Sequence, residues 1–221
     1  MKLRPLLLLS LLTAACQSQP DRSTASAVAP ANSAPTSPGP GTATPPRPAS
    51  RPAGRPGKLA LTANALQVVN VETGSTRDIL LGQPFEQLVR TVTDVLGQPP
   101  ARVGVNGECG AGPLKMATWA NGLTLAFQEK GRGDGAAGQQ WEFVGWSLNP
   151  GRGAGSAPTT IAGVGLGSTR TEVESAYVIE VMESSLGQEF STTSGLYGLF
   201  DGAGPQARVS AMWSGTSCVF R

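Results

Sequence analysis

The sequence predicts an α+β fold organised as two tandem repeats of a helix plus an antiparallel β-meander. Three observations carry that expectation. The segment GQPFEQLVRTVTDVLGQPP sets Phe85, Leu88, Val89, Val92, Val95 and Leu96 at helical spacing. Two alternating apolar runs, KMATW and LTLAFQ, flank Asn121-Gly122, a strong short hairpin signal. From Gly163 the outline returns in GVGLGSTRTEVESAY: a glycine, a turn and a short amphipathic helix, with further alternating runs behind it.

In chain order, Lys2 and Arg4 precede an apolar run from Leu6 to Leu12, and Thr13, Ala14 and Ala15 lead into Cys16. This is the charged, apolar and small-residue sequence of a signal peptide over 1–15. The run is far short of the ~20 residues that span a bilayer. Leu12 to Cys16 resembles the lipobox of bacterial lipoproteins. That resemblance implies cleavage at the Ala15/Cys16 bond, lipidation of Cys16 and anchoring to the extracytoplasmic side of a bacterial membrane. An ordinary secreted chain cut after the same alanines is the alternative.

Positions 16–57 are dominated by Pro, Ala, Ser, Thr and Gly, with Arg22, Arg47, Arg51 and Arg55 as scattered charges and Val28 as the one larger aliphatic residue. So little apolar surface does not offset chain entropy, and a disordered tether is expected. A flexible coil of ~40 residues has its ends roughly 35 Å apart, and a polyproline form reaches about 120 Å.

One folded domain is expected over 58–221, with repeat one over about 58–149 and repeat two over about 159–221. LALTANALQVVNV reads as an opening strand or loose hairpin. The helix begins near Pro84, which suits a first turn, and ends near Gly97 and Pro99. WEFVGWSL supplies a third strand after the hairpin, beyond a polar loop, EKGRGDGAAGQQ, and NPGRGAGSAP bridges to the second half. There Thr169 and Glu172 have the form of a capping box, with Val173, Ala176 and Tyr177 on one helical face. VIEVM, EFSTT, LYGLF and ARVSAMW are four further strands.

The residues Trp119, Asn121, Gly122, Leu123, Leu125 and Phe127, then Gly163 to Thr169 with Tyr177, then Gly215 to Arg221 resemble a group of uncharacterised lipoproteins of high-GC bacteria. The doubled helix-plus-sheet plan is similar to the β-lactamase inhibitor protein and to small envelope-assembly lipoproteins. These motifs are glycine turns and core apolar positions. The resemblance therefore implies a fold, and it carries no inhibitory or assembly residue to a position in this chain.

Cysteine parity in an exported domain points to a disulfide between Cys109 and Cys218 once Cys16 is lipidated. Histidine is absent, which removes Ser-His-Asp and Cys-His nucleophilic sites and the commonest zinc ligand; no catalytic residue, metal or cofactor is expected. Of 17 basic and 15 acidic residues, six basic ones but only Asp21 among the acids precede Lys58, so the folded part is net acidic and no nucleic-acid partner is expected. AGVGLGSTR fails the dinucleotide pattern at Ser168 and lacks the lysine of a phosphate loop. Arg132-Gly133-Asp134 spells an adhesion tripeptide, read as coincidence.

Trp119, Trp141, Trp146 and Trp213 lie on or beside strands and are the candidate partner-binding residues, because tryptophan is enriched at binding hot spots. Five positions apart on a regular strand, Trp141 and Trp146 would point to opposite faces, leaving one exposed. Packing of all four against the helices is the competing reading. The expected function is a non-catalytic binding or accessory protein of the cell envelope, with an envelope protein or wall component as partner. Two alternatives are a hydrolase using paired carboxylates among Glu172, Glu174, Glu180, Glu183 and Glu189, and a purely structural spacer.

Overall fold

Apolar alternation in LALTANALQVVN closes a hairpin, β1 (Gly57–Leu61) against β2 (Ala65–Asn70), turned by Thr62, whose backbone N–H and hydroxyl both donate to the Ala65 carbonyl. The computed structural model describes residues 57–131, 140–153 and 155–218. The leader, Cys16, the tether and the Arg132-Gly133-Asp134 loop lie outside those residues. A third strand, β3 (Thr76–Leu80), follows a turn in which the Asn70 side chain accepts from the amides of Glu72 and Thr73. With β8 (Thr159–Thr160) parallel to β1, these form a small sheet in the order β3-β2-β1-β8.

Helix α1 (Phe85–Leu96) turns Phe85, Leu88 and Val92 inward at one-turn spacing. Pro84 presets its entry, and Gly97, left-handed at φ 70°, ends it by donating to Thr93. Helix α2 (Arg170–Ala176) is capped reciprocally: the Thr169 side chain accepts from the Glu172 amide, and the Glu172 carboxylate accepts from the Thr169 amide at 2.7 Å. Only Val173 of α2 is buried. Of the face expected of Val173, Ala176 and Tyr177, Ala176 is exposed, while Tyr177, just past the helix end and extended at φ −140°, packs with Val173 on the core.

The remaining strands are β4 (Arg102–Asn106), β5 (Leu114–Thr118), β6 (Leu123–Lys130), β7 (Gln140–Leu148), β9 (Ile179–Ser184), β10 (Gly187–Thr192), β11 (Leu196–Phe200) and β12 (Val209–Gly215). They make one antiparallel sheet in the order β4-β5-β6-β7-β12-β11-β10-β9. The described chain is thus α+β and strand-rich, with two sheets and two helices.

The core lies between one face of the long sheet and a layer made of the small sheet and the helices. Leu59, Leu61 and Leu66 meet Leu88 and Val92, and across from them Leu125, Phe127, Phe143, Trp146, Phe190 and Met212. Each fully buried Leu or Phe among them contributes ~1.5–3 kcal/mol relative to exposure.

Strand β7 departs from strict alternation. Ala126 pairs with Gly145 and Phe127 with Phe143, which leaves Val144 as an extra, bulged residue. The bulge reverses the phase, so Trp141 and Phe143 before it and Trp146 and Leu148 after it all turn to the core. β12 does the same at Ser210, since Phe200 pairs with Val209 and Leu199 with Ala211.

Candidate functional site

Pleating sends every second residue of the long sheet away from the helices. Following the pairings across that outer face joins one residue from each strand into a single row: Arg102, Thr118, Thr124, Ser147, Trp213, Tyr197, Ser191 and Glu180. At ~4.8 Å per strand the row is about 34 Å long. It begins with a cation at one edge of the sheet and ends with an anion at the other. Hydroxyls and two aromatic rings fill the middle: the Thr118 and Thr124 hydroxyls are 2.9 Å apart, and Tyr197 stacks on Trp213 with ring centroids 6.0 Å apart and planes at 10°. Beside the stack, Ala211, Leu199, Glu189 and Met182 form a second rank, with Glu189 buried and Met182 exposed.

Residues 216–218 cross one half of this face. Gly215 leaves β12 with φ 68°, and the Thr216 amide donates to the Val144 carbonyl at 2.8 Å. A Cβ on Gly145 would overlap the Thr216 carbonyl, and one on Gly215 the Val144 carbonyl; these two positions require glycine for that close crossing. Cys218 then bonds Cys109, with Cα atoms 5.1 Å apart, over a small apolar cluster of Leu114 and Ala126 bordered by Met116 and Val144. The disulfide expected from cysteine parity is therefore present, and it straps the C-terminal segment across β5 to β7. Next to the strap lies a shallow depression of ≈ 570 Å³ lined by Arg102, Gly104, Asn106, Glu108, Met116 and Thr118.

The tryptophans are not exposed anchors. Trp119, Trp146, Trp213 and Trp141 are all buried, the last the most accessible at 9%. Trp119 donates its indole N–H to the Gln98 carbonyl and Trp146 to that of Thr62, so both polar handles are spent inside the protein. The expectation that Trp141 and Trp146 oppose each other fails because of the bulge at Val144 between them. Trp213 alone lies on the outer face, where it backs Tyr197. Tyr197, half-buried, is the more accessible ring of the stack and was missed. The signal was present in LYGLF: with Leu196, Gly198 and Phe200 inward, the tyrosine between them must face out.

The five glutamates of the second half do not converge. Glu172 serves the cap, and Glu174 pairs with Arg170 at 2.7 Å. Glu180 and Glu183 stand on opposite faces of β9, and Glu189 lies one strand in. Hydrogen bonds from Thr169, aided by the Arg208 charge, hold the Glu172 carboxyl below its ordinary range. Among the described residues no group of three or more Asp, Glu, Cys and His side chains is placed to hold a metal, and no helix is long and apolar enough to cross a membrane.

The glycine loop before α2 spends its amides on the protein itself. Gly163 donates to the Thr160 carbonyl, Val164 to the Thr160 hydroxyl, Gly165 to the Ser168 hydroxyl and Gly167 to the Val209 carbonyl. It is a turn that docks α2 onto β12, not a free anion cradle. Compared with known proteins, the chain matches no family model, no curated protein and no solved structure.

Proposed function

We propose that this chain is a membrane-anchored lipoprotein of the bacterial envelope, held by a lipid on Cys16, whose long-sheet outer face captures a protein partner without chemistry on it. The anchor rests on the leader sequence from Lys2 to Cys16. The single observation that carries the binding reading is the transverse row, in which Thr118, Ser147, Tyr197 and Ser191 present hydroxyls and an aromatic ring on a rigid sheet. Tyrosine with serine and threonine is the composition of adaptable contact surfaces: the ring supplies area at low entropy cost and the hydroxyls supply hydrogen bonds.

In this reading the fold is two tandem repeats of helix plus meander. Support comes from the order α1 then β4 to β7, and α2 then β9 to β12, with the two meanders meeting at β7 and β12. Joining two meanders edge to edge yields a face wide enough for a protein partner, which neither meander would present alone.

The test is in-cell photocrosslinking from position 191, the cross-strand neighbour of Tyr197, in the full chain, followed by mass spectrometry of the captured species. One envelope protein should dominate, and Tyr197→Ala should weaken its capture by about 30-fold, the effect of losing a ~2 kcal/mol hot spot. Capture of wall polymer instead, or undiminished capture by Tyr197→Ala, refutes the protein-binding assignment. Separately, Cys16→Ser should move the chain from membranes to the soluble fraction; retention in the membrane pellet refutes the anchor.

A further inference from the structure

We propose that the chain forms a symmetric homodimer by pairing β4 with β4 of a second copy, antiparallel and centred on Gly104. Strand β4 is an edge of the long sheet, paired among the described residues only with β5, and its register there runs unbroken from Arg102 to Asn106. An unpaired row of backbone donors and acceptors is a template for another strand, and proteins ordinarily blunt it with lysine, proline, a bulge or a very short strand. β4, RVGVN, has no lysine, proline or bulge, and its one charged residue, Arg102, stands at its end. Instead it exposes two large apolar side chains, Val103 at 47% and Val105 at 58%.

The other three edges are defended. β9 carries Glu180 and Glu183, β3 carries Arg77 and Asp78, and β8 is two residues long. Among the described edge strands of three or more residues only β4 has an uncharged middle, its one charge, Arg102, standing at its end, and its sequence complements itself. About a two-fold axis at Gly104, Val103 meets Val105 of the second copy and Arg102 meets Asn106, so β-branched pairs with β-branched and no like charges face each other. The glycine at the centre leaves no side chain on the outer face at the axis itself, with Arg102 and Asn106 flanking it. Two copies joined this way extend the eight strands into one sixteen-stranded sheet and bring the two depressions lined by Arg102 and Met116 together across the axis.

The pairing predicts one symmetric cross-link. Residue 104 meets residue 104 at a Cα separation of about 4.5–5.5 Å, while residue 106 lies four positions out of register with its own copy, about 13 Å away. A Cβ at position 104 meets nothing within 4 Å, and Gly104 does not need a left-handed backbone, so Gly104→Cys is tolerated by the single chain. With the full chain in mild detergent, Gly104→Cys should give a covalent dimer on oxidation or with a short bis-maleimide, mapped by peptide analysis to 104–104. Asn106→Cys should not, in chains whose Cys109–Cys218 bond the same mapping finds intact, since the Asn106 amide lies 3.4 Å from the Cys218 sulfur. Val105→Lys, placing the usual protecting residue on the edge, should raise the dimer dissociation constant measured by sedimentation about tenfold or more, with an unchanged circular dichroism spectrum showing that the fold is kept. Failure of Gly104→Cys to cross-link, equal cross-linking at 106, or a Val105→Lys chain that dimerises as before overturns the proposal.

Discussion

Replacing Trp146 by phenylalanine separates a packing role from a binding role. Trp146 is 1% exposed, sits just past the β7 bulge and donates its indole N–H to the Thr62 carbonyl at 2.8 Å, tying the β1–β2 turn to the long sheet. Phenylalanine keeps a ring in the site but removes the donor. Leaving the Thr62 carbonyl unsatisfied costs about 1–3 kcal/mol. The lost ring atoms forfeit up to roughly 2 kcal/mol of apolar burial, at ~0.8 kcal/mol per methylene-sized group. Partial relaxation of the neighbours reduces the sum, so a loss of about 2–4 kcal/mol is expected. Urea unfolding followed by far-UV circular dichroism measures it: with a slope of ~1–3 kcal/mol/M for a domain of this size, the midpoint should fall by about 0.7–4 M at unchanged slope. Partner capture by the molecules that remain folded should be unaffected. A stability loss under about 0.5 kcal/mol together with lost capture would show that Trp146 is a contact residue and that its assignment to the core is wrong.

Two further outcomes follow from the strap and the cap. Non-reducing peptide mapping should recover Cys109 and Cys218 as one linked pair, and the double replacement by serine should cost about 4–5 kcal/mol, because the bond closes a loop with a sequence separation of 109; an unchanged urea midpoint refutes that. For the α2 cap, the Glu172 carboxyl is held below its ordinary value of about 4.5 only in the folded chain, so the contribution is complete above that value and is lost as pH falls through the folded one. Glu172→Gln should therefore flatten the acid limb of the stability–pH curve, and an unchanged limb would place the acid sensitivity elsewhere.

Local chemistry in the sequence determined much of the framework. The spacing of Phe85, Leu88 and Val92, the left-handed Gly97, and the Thr169 and Glu172 pair specify both helices through interactions spanning four residues or fewer. The turn at Asn121-Gly122 is legible for the same reason: Gly122 has φ 93°, and its amide donates to the Trp119 carbonyl three positions back. Cysteine parity named the pair that bonds. Strands β3 and β4 went unread because their apolar residues are sparse and their partners, β2 and β5, supply most of their stability.

The candidate site is a property of tertiary structure. Which face a tryptophan takes depends on one bulged residue, Val144, which exists only because β6 and β7 pair out of step there. The row from Arg102 to Glu180 draws on residues up to 111 positions apart in the chain, joined by seven separate strand pairings. Alternation along one strand says that Tyr197 points away from Leu196 and Phe200. Only the register between strands, set by long-range pairing and by the burial of the opposite face, says that it lies on Trp213 and in line with Ser147 and Thr124.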